Sequence, residues 1–254
     1  MRDILRHRDL VRALVARDLK VRYRRSTIGF LWTMLYPLLT MLVLEAVFSG
    51  VFRLKIESYP AYVLSGILFW NFFSQSVVSS MNSLRGNASL LQKVPVPKAV
   101  FPLATVLSGV VNLAFALVPL LIILIATGHH LSSALMFVPV SIMVVAAFTL
   151  GAGLLLSPLA LFFTDTVEIV GVALTLVLYL TPVFYPISIV PDRVRKIVEY
   201  NPLQMILKVF RDPIYGGAIP GMLDVSAAVV SAAVMLACGI LVFRRSSDQI
   251  PFYL

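Results

Sequence analysis

Charge is scarce in this chain. Only 13% of its 254 residues are Asp, Glu, Lys or Arg, where a soluble domain carries about a quarter. So little charge cannot solvate an ordinary globular surface. Cysteine is scarcer, with Cys238 alone, which excludes an intrachain disulfide; placed in a late apolar run, it reads as a buried, inert thiol. Histidine is limited to His7 and the adjacent His129-His130. No Cys, Asp or Glu lies near that pair in sequence, so a solvated turn explains it better than a zinc site. No Walker-type phosphate loop, H-E-x-x-H or G-x-S-x-G is present. The chain is therefore not expected to be an enzyme, to hold a metal or to bind a cofactor of its own. Any energy from ATP has to come from another polypeptide. A cleavable signal peptide is not evident either, because the stretch before the first apolar run is too long and no small-residue cleavage site follows that run.

What is present is apolar: 59% hydrophobic residues and a mean hydropathy of +0.94. A helix needs about 20 apolar residues to cross the hydrocarbon core. Six runs read as spans, at 30–49, 61–80, 101–127, 135–163, 167–183 and 225–243. The third and fourth contain Pro119, Pro139 and Pro158, which predicts tilts or kinks. No internal repeat is visible, against the inverted-repeat plan of many secondary transporters. The fold class is thus all-α integral membrane, a single transmembrane domain over 1–254.

The basic balance, 21 Lys and Arg against 12 Asp and Glu, would suggest nucleic acid in a soluble protein. Here the cations flank apolar runs, which points to anionic headgroups and sidedness, and no nucleic-acid partner is expected. Nine of them lie in residues 1–29. With both termini cytoplasmic, 14 Lys and Arg fall inside and seven outside, as the positive-inside rule favours. Residues 1–29 read as an amphipathic interfacial helix, with Ile4, Leu10, Val11, Leu14 and Val15 on one side and Arg6, Asp9 and Arg17 opposite; a flexible basic anchor is the alternative. The external segment 187–222 reads as two short amphipathic helices, near 192–200 and 203–210, separated by Asn201-Pro202.

Polar residues inside the spans need protein or water partners. Asn71, Gln75, Ser79 and Asn82 recur at helical spacing and form one stripe, either pore lining or helix–helix glue. The same span carries Phe69, Trp70, Phe72 and Phe73, and the first carries Trp32 and Tyr36 at i, i+4. Such rings are belt residues at the headgroup level or stacking faces for sugars. Glu45 is the one ionisable residue deep in a span, so it faces the protein interior or reaches water at the outer end. The loop 84–100, LRGNASLLQKVPVPKAV, offers a short helix with Leu84, Leu90 and Leu91, then Lys93, a rigid P-x-P and Lys98. That arrangement suits transmission of motion from a soluble subunit, or an ordinary turn against anionic lipid.

Three separated stretches, VARDLKVRYRRSTIGFLWTMLYPL, LLQKVPVPKAVFPLA and TPVFYPISIVPDRVRKIVEYNPL, resemble the permease subunits of ABC exporters for polysaccharides, which include O-antigen and teichoic-acid export systems. The resemblance runs in order over essentially the whole chain. It implies six transmembrane helices, a homodimer in the cytoplasmic (inner) membrane, and two copies of a separate ATPase subunit that binds ATP and Mg. It further implies that Arg17, Asp18, Lys20, Arg22, Arg24 and Arg25 belong to a cytoplasmic gate helix at the ATPase, and that Leu90, Leu91, Lys93 and Pro95 belong to the coupling element. The external helices would re-enter the outer leaflet. The substrate channel would use Trp32, Tyr36, Phe69, Asn71, Phe72, Phe73 and Gln75, and the cargo would be a lipid-linked glycan. The rival reading keeps the ABC fold and changes the cargo to a drug, an antibiotic or a simple lipid.

Overall fold

The computed structural model describes residues 7–23, 29–50, 58–127 and 132–253. Among these there are helices and turns and no strand. Helix α1 spans Arg8–Tyr23, α2 Trp32–Gly50, α3 Tyr59–Gly86, α4 Ala88–Lys93 and α5 Val100–Ala126. After a 3-10 turn at Ser133–Phe137 come α6 Val138–Phe162, α7 Thr166–Leu180, α8 Asp192–Glu199, α9 Pro202–Arg211 and α10 Met222–Ser246.

Helices α3, α5, α6 (with its preceding turn) and α10 are long and apolar enough to cross a bilayer. The first and fifth expected spans are shorter helices. Residues 167–183 are helical only to Leu180, because Thr181 precedes Pro182 and is driven extended, at φ −104° and ψ 126°. Fifteen residues give roughly 22 Å at 1.5 Å per residue, less than the hydrocarbon thickness. Pro119 and Pro158 lie inside α5 and α6, while Pro139 sits in the first turn of α6, where its missing N–H costs no hydrogen bond.

Helix α3 is the axis of the bundle, packed on α2, α5, α6, α7 and α9. In its apolar window 78% of residues are buried, against 17% in α10. Its small residues allow this: Ser65, Gly66, Ser76 and Ser80 let neighbours approach closely, as helix packing in lipid requires. Helix α10 lies on α6 with still less between them, since a Cβ on Gly239 would collide with the backbone of Gly151. Cys238 is exposed on the outer side of α10. The buried thiol expected from sequence is thus corrected: hydropathy does not distinguish an apolar run's packed face from its outward face.

The end that carries both termini has its own cluster. Val11 and Leu14 of α1 are buried with Leu84, Val100, Phe101, Ala104, Leu161, Phe243 and Ile250. Leu10, Val11, Leu14 and Val15 of the stripe expected to lie on lipid pack on protein instead, while Ile4 and Arg6 lie outside the described residues. Phe162 meets Tyr253 at 4.8 Å between ring centroids, and Lys98 donates to the Ser247 carbonyl. At the opposite end the two amphipathic helices form nearly where the sequence places them. Asn201 accepts from the Leu203 N–H at 3.0 Å and so caps α9, with Pro202 in its first turn.

Candidate functional site

A cleft of about 930 Å³ opens between α1, α2, α3 and α5. Helix α3 lines it with Leu68, Asn71, Phe72, Gln75, Ser76, Ser79, Asn82 and Ser83, a 3–4 spacing that keeps one face toward the space. Helix α5 faces it with Thr105, Ser108, Gly109 and Asn112. Trp32, Thr33 and Tyr36 of α2 form a third wall, and Arg17, Asp18 and Val21 of α1 close the end near the termini. From Leu68 to Gly86 the lining positions on α3 extend roughly 27 Å along the helix axis, close to the hydrocarbon thickness.

Five of the seven expected channel residues share this cleft: Trp32, Tyr36, Asn71, Phe72 and Gln75. Trp32 and Tyr36 are about half exposed. Phe69 and Phe73 are not on it. Phe69 is fully buried with its ring 6.0 Å from Phe210, and Phe73 packs between Trp70 and Phe148, each at 5.8 Å. Consecutive helical positions differ by about 100° around the axis, so the run FWNFF wraps round α3. Phe72 reaches the cleft while 69 and 73 turn into the core.

The expected coupling residues divide similarly. Arg17 pairs with Asp18 at 2.9 Å and donates to Asn87 Oδ1 at 2.8 Å, joining α1 to the turn before α4. Lys20, Lys93 and Pro95 are exposed. Leu90 and Leu91 are partly buried against the cluster at the termini, because α4 lies back on the bundle. Val94, which the sequence reading passes over, is exposed beside them. Arg24 and Arg25, the side chain of Arg22, and His129-His130 lie outside the described residues. Glu45 is half-buried on α2. Among the described residues no group of Cys, His, Asp and Glu is placed to hold a metal.

At the far end is a cluster that the sequence reading missed. Arg211, counted from sequence as an external loop cation, is 8% exposed. Its guanidinium donates to the carbonyls of Pro182 at 2.9 Å and Val183 at 2.8 Å and to Ser65 Oγ at 3.3 Å, and lies 3.9 Å over the Tyr62 ring. The Tyr62 hydroxyl donates to the Tyr185 carbonyl at 2.7 Å and Tyr59 to Phe184 at 3.0 Å. Pro182 and Pro186 break the helical ladder there, so these carbonyls need side-chain donors. Two prolines within five residues were the available signal. Beyond the knot, burial pushes the Asp212 carboxyl above its usual range, with Lys208 opposing and Asp224 adding to the rise.

The profile of the ABC-2 type transporter family matches residues 9–215. The chain belongs to this family. Its ABC-2 relatives include the O-antigen export system permease protein RfbA of Myxococcus xanthus, 30% identical, with 98% of this chain and 96% of that protein covered. The Klebsiella pneumoniae RfbA is 29% identical over 83% of this chain and 82% of its own length. The polysialic acid transport protein KpsM of Escherichia coli is 20% identical over 94% and 93%. The ABC-2 match takes in α1, the cleft and the Arg211 cluster, and ends before α10.

Proposed function

We propose that this chain is the permease subunit of an ABC exporter that moves a lipid-linked polysaccharide across the cytoplasmic (inner) membrane, driven by ATP hydrolysis in a separate subunit. The observation that carries the reading is the cleft, whose amide stripe of Asn71, Gln75 and Asn82 meets the rings of Trp32, Tyr36 and Phe72. Amides hydrogen-bond sugar hydroxyls, and rings stack on the apolar faces of sugars. A wholly apolar drug or lipid would offer the Asn71 and Gln75 amides no hydrogen bond. The relatives, proteins of O-antigen export and polysialic acid transport, support polysaccharide as the cargo class.

In this reading the chain crosses the membrane six times, with α2 and α7 as short crossings, and both termini are cytoplasmic. Two copies form the conduit and two ATPase subunits, holding ATP and Mg, dock at the end that carries the termini. Arg17, Asp18, Lys20, Arg22, Arg24 and Arg25 of segment 1–29 and Leu90, Leu91, Lys93 and Pro95 of segment 84–100 form that docking face. Lys93 and Pro95 touch the partner while Leu90 and Leu91 hold the element to the bundle. Segment 187–222 is the external face.

Proteoliposomes containing the chain and its ATPase provide the test. A lipid-linked polysaccharide supplied on the ATPase side becomes accessible to a glycosidase on the other side only when ATP is hydrolysed. Translocation without the ATPase, or none with it, sinks the proposal.

A further inference from the structure

We infer that the cleft accepts uncharged, hydroxyl-rich sugar units and works against anionic polymers; this rests on the exporter reading above and narrows its substrate class. The two facing helices spend polar hydrogens on their own backbones. Asn82 donates an amide N–H to the Val78 carbonyl at 3.0 Å, and Ser83 its hydroxyl to Ser80 at 2.7 Å. Thr105 donates to Phe101 at 3.0 Å and Ser108 to Ala104 at 2.9 Å. A hydroxyl committed in this way keeps only acceptor lone pairs for a ligand. Along this part of the lining the cleft therefore offers oxygen acceptors.

A sugar hydroxyl donates to such a wall. A carboxylate or phosphodiester is acceptor-only, so it meets lone pairs with lone pairs while losing its hydration. The full charges among the described lining residues are Arg17 and Asp18, and they neutralise each other at 2.9 Å. Arg17 is further engaged by Asn87. Trp32 and Tyr36 add faces suited to neutral rings. Polymers of sialic or uronic acids bring a carboxylate with each unit, and the described lining has no net positive charge to pair with it.

The permease–ATPase complex in nanodiscs tests this by quenching of tryptophan fluorescence, with a mannose pentamer and a sialic-acid pentamer as probes. The neutral pentamer binds about tenfold more tightly or better, the discrimination expected when charged groups go unpaired. Gln75→Lys narrows the preference, because its ammonium pairs with the carboxylates, and Gln75→Glu, which adds acceptors only, widens it. Equal or tighter binding of the sialic-acid pentamer overturns the inference, as does binding of neither. If the Gln75 variants fail to fold, the comparison on the unaltered complex decides alone. Transport is read separately in proteoliposomes. Absent transport with the binding preference intact counts against the exporter reading only, whereas equal export of lipid-linked mannan and polysialic acid overturns the charge preference only.

Discussion

Replacing Arg211 with Met should loosen the end of the bundle opposite α1 without disturbing the cleft. The substitution keeps most of the side-chain volume and removes the guanidinium that serves the Pro182 and Val183 carbonyls and Ser65 Oγ. Two buried carbonyls left without donors cost about 1–3 kcal/mol each, and relief from burying a cation offsets part of that. A net loss of about 2–4 kcal/mol in local opening free energy is the working figure, and about 1.4 kcal/mol corresponds to a factor of ten in opening equilibrium. The Val183 amide, which donates to Thr181 at 2.6 Å, should then exchange hydrogen about 30-fold faster or more. Amides in the middle of α6 should be unaffected. Arg211→Lys keeps the charge but loses the planar fork, so it should fall between the two. Gly66→Ala should imitate Arg211→Met, because a Cβ there collides with the guanidinium and lies 2.6 Å from the Val183 oxygen. Unchanged Val183 exchange in Arg211→Met would refute the claim that the guanidinium holds this turn.

Other outcomes follow from the same packing. Tyr36→Ala should leave thermal stability intact and slow transport, whereas Phe73→Ala, from the core, should cost about 3–5 kcal/mol of stability; melting and flux measured on both variants separate the two roles. Gly239→Ala should separate α10 from α6 at a cost of about 1–3 kcal/mol, read as a lower Tm in detergent. Asp212→Asn should stabilise the end of the bundle that holds Arg211 at neutral pH. Burial raises this carboxyl in the fold above its ordinary value of 3.8, so the native state holds its proton more tightly and stability falls as pH rises from 3.8 through the raised value. Below that window the variant and the original should melt alike; a variant that is less stable at pH 7 contradicts the sign.

Much of the bundle was legible because its signals are local. An apolar run announces a helix whatever it packs on, the 3–4 spacing of Asn71, Gln75 and Asn82 defines one face, and Asn201-Pro202 announces a cap and a first turn. Those features depend on the bilayer's thickness, helical geometry and one residue's own side chain. Tertiary packing decided which faces meet. It turned Phe72 to the cleft and Phe69 and Phe73 to the core, folded Leu90 and Leu91 back on the bundle, and left Cys238 exposed. It also buried Arg211 against carbonyls 28 and 29 residues away and a serine 146 residues away. No local period encodes partners so distant in the chain, because the demand for a donor arises only once two prolines have broken a helix and the fold has excluded water from the break.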